Sequence, residues 1–145
     1  MKSYYLIACF AVSFYSCSST KKIPVVIIEK IQFGTGGGFT GRVTTYDLFP
    51  DGRLFMEFNN KDSLLGKIHP DTLSVVISEA IVLDDYHYNQ PGNMYAFLSI
   101  EKKNLKGTND NVVQRIVWGM GSGEIEPRVI ELHERLMQLV RQLTR

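Results

Sequence analysis

The chain has 145 residues, enough for one domain and too few for two ordinary ones. With 44% hydrophobic and 21% charged residues it belongs among globular chains that can bury a core. Its 16 basic and 15 acidic residues leave a net charge of +1, which gives no long-range field to gather nucleic acid, so no nucleic-acid partner is expected.

The first residues, "MKSYYLIACFAVSFYSC", combine Lys2 with an apolar run from Tyr4 to Tyr15 and the small Ser16 before Cys17. A positive start, a short apolar segment and a small residue before a cut describe an export signal. The run is too short for a permanent membrane-crossing helix, which takes about 20 residues. The ending "FYSC" resembles the lipobox of bacterial lipoproteins, with Phe14 where that pattern usually has Leu. The resemblance covers residues 1–17 and implies that the Cys17 thiol carries a diacylglycerol and its amine an acyl chain. A second box, "LIAC" at Cys9, leaves only Tyr4 and Tyr5 as apolar residues before it, too little for a signal. Residues 1–16 are therefore expected to be the signal peptide and 17–24 a polar tether. Residues 25–145 then form a single domain with no free thiol and no disulfide, held by its apolar core. In the sorting pattern of such lipoproteins, Ser18 in place of Asp implies the outer membrane. The lack of an acidic cluster after Cys17 implies its periplasmic leaflet.

"VVIIEKIQF" (25–33) is β-branched and places Ile27, Ile31 and Phe33 on one face, which predicts a strand. After a glycine-rich stretch, "FTGRVTTYDLF" reads as a second strand. "PDG" (50–52) is a turn, and "RLFMEFN" returns as the third strand of a hairpin with Leu54, Met56 and Phe58 on one side. The period changes in "HPDTLSVVISEAIVLDD", where Leu73, Val76, Ile77, Ala80, Ile81 and Leu83 recur at helical spacing. His69 is placed at the start of this helix. "DYHYNQPGN" is a loop, and "MYAFLSIEK" alternates Met94, Ala96, Leu98 and Ile100 against Tyr95, Phe97, Ser99 and Glu101. "VVQRIVW" is the returning strand. From Pro127 a last helix repeats Val129, Leu132, Leu136, Leu139 and Leu143 at steps of three and four. The expected fold is α+β in the order βββ-α-ββ-α, a mainly antiparallel sheet of about five strands with two amphipathic helices packed on one face.

Within "FGTGGGFTGRV", the letters G-x-G-x-x-G-x-V match a phosphate-cradling loop. A dinucleotide site needs a helix after its glycines, and "VTTYDLF" is strand-like. A protein-kinase glycine loop does lie between strands, but its lysine-bearing third strand, H-R-D and D-F-G are missing. Glycines 34, 36, 37, 38 and 41 are read as a flexible hairpin connection. Anion binding by the loop at Gly36, Gly38 and Gly41 with Arg42 is the alternative. Histidines 69, 87 and 133, with Asp84 and Asp85, have no metal-ligand spacing, and the serines lie in no nucleophile elbow. No catalytic residue, metal or cofactor is assigned.

Tyr86, Tyr88 and Tyr95 flank a Pro-Gly turn, and Trp118 ends the strand expected nearby; they are read first as caps on the open end of a small core, with hydroxyls reaching water, and otherwise as the candidate interaction surface, since Tyr and Trp anchor interfaces. If one sheet face is bare, Arg42, Thr44, Tyr46 and Phe97 are a second candidate surface. The resulting expectation is a lipid-anchored envelope protein without enzymatic turnover, acting on an envelope protein partner. The alternative is an anion-binding or hydrolytic domain using the glycine loop.

Overall fold

A computed structural model describes residues 26–58, 61–103, 111–121 and 123–145. The expected signal peptide, Cys17 as the expected lipidation residue and the expected tether lie outside the described residues. The order is β1 (Ile28–Gly37), β2 (Val43–Leu48), β3 (Arg53–Phe58), β4 (Lys61–Lys67), α1 (Pro70–Val82), β5 (Tyr88–Gln90), β6 (Met94–Lys102), β7 (Val112–Gly119) and α2 (Pro127–Leu143).

The strands form one sheet in the order β4-β3-β2-β1-β6-β7-β5. The fold is α+β as expected, but the described residues hold seven strands rather than about five. All neighbours are antiparallel except β5, which runs parallel to β7 with Tyr88 opposite Ile116. The two additional strands are the two edges. In β4, "KDSLLGK", polar and charged residues replace the alternation that marks a half-buried strand, and lysines stand at both ends, as suits an edge that must not pair further. β5 has three residues and exists only because β7 is beside it.

Both helices lie on the same face. One cluster of buried side chains joins Ile31, Phe33, Leu48, Leu54, Leu98, Ile100 and Ile116 of the sheet to Val76, Ala80 and Leu83 of the α1 region and to Val129, Leu132, Leu136, Leu139 and Val140 of α2. Each of the Val, Leu, Ile and Phe side chains, taken out of water, contributes about 1.5–3 kcal/mol. Phe97 and Val117 are buried as well, but on the other face and outside this cluster. Ile81, expected on the covered face of α1, is 38% exposed.

Local chemistry sets the helix ends. His69 is the N-cap of α1, with Nδ1 accepting from the Asp71 N–H at 3.4 Å, and Pro70 supplies a fixed φ where no donor is needed. α1 stops before Asp85, which takes a left-handed φ of 66°. α2 starts at Pro127 without a side-chain cap and carries Arg141 in its last turn, where the helix dipole favours a cation.

Candidate functional site

A hollow of about 570 Å³ opens between α2 and one end of the sheet. Its origin lies in two neighbouring rungs of the sheet. Phe33, Leu98 and Ile116 face one another across β1, β6 and β7 and fill the space under the helices. One rung further on, the partners are Thr35, Ala96 and Trp118, and two of these three are small. The helix cannot sink to meet them, because the larger rung beside them sets its height. A groove remains, with Ala96, Trp118, Met120, Ile130 and Met137 as its apolar walls. Thr35, His133, Glu134, Gln138 and Arg141 supply the polar part of the lining.

His133 is the buried polar side chain of this groove lining. It is 8% exposed, its ring stands edge-on to Trp118 at 5.1 Å between centroids, and it meets Phe33 edge-on at 6.4 Å. Nε2 lies 3.2 Å from the Gly34 carbonyl oxygen. A carbonyl only accepts, so Nε2 carries the proton and the neutral ring keeps Nδ1 as an acceptor. Burial pushes the imidazole below its ordinary value, while the Gly34 hydrogen bond and the nearby Glu134 charge pull the other way. The site is thus an apolar trough with a neutral polar group in its floor and Glu134 and Arg141 along the helix side. Such a lining suits the binding of an apolar group with a few fixed polar contacts.

His133 was visible in the sequence only as a helix residue beside the leucine stripe. The missed signal is a second row, Ile130, Glu134, Met137 and Arg141 at steps of four, three and four, with His133 three residues after Ile130 and four before Met137. A second row of mixed apolar and polar residues beside the leucine stripe means that the helix packs along one row and lines something with the other.

The four aromatic residues of the candidate surface do not come together. Trp118 is 6% exposed and lines the groove from the covered face. Tyr86 packs against the core and its hydroxyl accepts from the Glu126 N–H at 3.2 Å, beside the start of α2. Tyr88 also packs on the core, with its hydroxyl donating to Gln90 Oε1 at 3.4 Å. Tyr95 lies on the bare face next to Phe97, at 6.5 Å between ring centroids, and lines a separate hollow with Asn89, Pro91, Arg115 and Val117. The second candidate surface is divided too. Tyr46 stacks on Phe33 in the covered core, whereas Phe97 is on the opposite face under the Arg115 guanidinium at 5.7 Å.

The glycine stretch is not a loop throughout. Gly34, Gly36 and Gly37 belong to β1 and pair with β6, and Gly34 and Gly36 also pair with β2 on the other side. Only Gly38 and Gly41 lie in the turn. The Gly38 N–H donates to the Asn93 carbonyl at 2.7 Å and the Gly41 N–H to the Gly38 carbonyl at 3.1 Å. Those two amides are committed to the backbone and are not free to receive an anion, which leaves Arg42 alone on the surface.

Among the described residues no group of three His, Cys, Asp or Glu side chains gathers as metal ligands, and no helix is long and apolar enough to cross a membrane. Asp84 is an ion-pair partner of Lys102. Comparison of the sequence with protein-family models and with curated proteins gives no match.

Proposed function

We propose that the chain is a lipid-anchored accessory protein of the bacterial cell envelope, held at the outer membrane through Cys17 and facing the periplasm. In this reading it works by binding an apolar group in the groove beside α2. The observation that carries the proposal is the polarity of the domain. The tether leads into the Ile28 end of β1, and the groove lies at the other end, around Thr35. A ten-residue strand rising about 3.3 Å per residue separates the two ends by about 30 Å. An anchor before β1 would leave the groove at the end of the domain remote from the attachment point, where a partner can reach it. The same far end carries exposed apolar side chains, namely Phe39, Val43, Phe58, Met94 and Met120.

Two measurements test this. Mass spectrometry of the native protein should find Cys17 as the first residue, bearing diacylglycerol; an unmodified thiol on a soluble product removes the anchor. Cross-linking in intact cells should recover a bound partner through the groove. Met137→Glu, which puts a charge in the half-buried wall of the groove, should abolish the recovery; unchanged recovery removes the groove as the binding site.

A further inference from the structure

The turn between β1 and β2 carries a side chain that the fold does not use. Phe39 is 108% exposed, fully in water, so it forfeits the stabilisation that burial of its ring would bring. Its support is built rather than loose. Gly37, Gly38 and Gly41 hold φ of 93°, 72° and 60°, a region that side chains disfavour; the Gly41 N–H to Gly38 carbonyl hydrogen bond closes the turn and the Gly38 N–H to Asn93 carbonyl hydrogen bond ties it to the loop before β6. Gly37 stands opposite Met94, and the Met120 N–H donates to the Met94 carbonyl at 2.9 Å. The turn and the mouth of the groove therefore flank the same residue, at one end of the molecule.

Charge adds to this. Arg42, three residues beyond Phe39, is exposed and has no ion-pair partner among the described residues. Glu134 and Arg141 in the groove lining are exposed and likewise have no ion-pair partner among them, and Glu134 is the one opposite in sign to Arg42. We infer that the groove receives Phe39 of a second copy of this chain, in a two-fold dimer where Arg42 meets the partner's Glu134. A cavity of about 150 Å³ is enough for benzene, so this groove has ample room for a benzyl side chain. Because the knob and the groove occupy one end, facing copies exchange them reciprocally and the contact closes at two subunits. The inference rests on the groove as the binding site but not on the lipid; anchoring would add to it by confining copies to one surface at high effective concentration.

The test uses the full chain in intact cells, with photoreactive benzoylphenylalanine in place of Phe39. The expected product is an adduct of twice the chain mass, with the cross-link mapping to groove residues such as Met120 or Met137. Arg42→Glu should lower its yield about fivefold, and Arg42→Glu combined with Glu134→Arg should restore it. Arg42 and Glu134 are exposed, so these exchanges leave the core intact. Adducts only to lipid, to another protein or within one chain, or no adduct at all, overturn the inference. A dimer adduct on a chain with free Cys17 removes the anchor alone, and a lipidated chain without the dimer adduct removes this inference alone.

Discussion

The Tyr95 ring lies across Gly36, its direct partner on the neighbouring strand, so closely that a Cβ on residue 36 would stand 2.6 Å from the ring and hydroxyl. Phe97 lies beside Gly34 in the same way, with a Cβ there 3.2 Å from its ring. Glycines inside a strand cost stability unless something covers them, and here aromatic rings from β6 do so.

The two glycines should nevertheless respond differently to substitution. At Gly34 the added methyl would also come 1.9 Å from the Thr44 carbonyl oxygen, which is backbone and cannot step aside. Gly34→Ala is expected to lower stability by about 1–3 kcal/mol or more. Gly36→Ala meets only the end of Tyr95, which can swing, and should stay within about 1 kcal/mol of the wild type. Urea unfolding at unchanged m separates them. Equal losses at both positions would contradict this packing.

His133 makes stability depend on pH. Its folded value lies below the ordinary 6.5, because burial disfavours the charged ring. Above pH 6.5 both states hold a neutral imidazole and the contribution is fully present. As the pH falls from 6.5 towards the lower folded value, the unfolded chain takes the proton first and stability is lost. His133→Gln, which keeps an amide donor for the Gly34 carbonyl but does not titrate, should flatten this part of the profile. Urea midpoints measured from pH 8 to pH 5 for both proteins provide the check; parallel curves would remove His133 as the cause.

Gln114, 3% exposed, ties three parts of the fold together. Its amide Nε2–H groups donate to the Leu83 carbonyl at 2.6 Å and the Tyr86 carbonyl at 2.8 Å, and Lys102 Nζ donates to its Oε1 at 2.7 Å. Gln114→Ala takes the side-chain donor from the Tyr86 carbonyl and one of two donors from the Leu83 carbonyl, which keeps the Tyr86 N–H at 3.0 Å, and should cost about 1–3 kcal/mol. The loss should be local as well as global. Hydrogen exchange around residues 83–88, where α1 passes into β5, should accelerate more than in α2. A uniform change would mean that Gln114 only fills space.

Helix and strand periods carried most of the architecture in plain sight. The stripe Val129, Leu132, Leu136, Leu139 and Leu143 located α2 and its buried side, and the alternation of Ala96, Leu98 and Ile100 located the covered face of β6. Pro70 and Pro127 marked both helix starts, because a residue lacking an N–H fits where no donor is required. These features are local, so periodicity alone reveals them. The edge strands β4 and β5 stayed hidden because they have no pattern of their own and become strands through the neighbour that pairs with them.

The groove was a further step removed. Thr35, Ala96 and Trp118 are separated by long stretches of chain, and only strand register brings them onto one rung beneath Ile130 and Met137. The same register split Tyr95 from Tyr86, Tyr88 and Trp118, since a strand sends successive side chains to opposite faces. By itself the sequence determined which segments pair with water and which avoid it, because that property belongs to each residue and its near neighbours. Tertiary structure alone decided where small side chains meet across the sheet, and so where space is left unfilled, because a gap belongs to the partners that surround it.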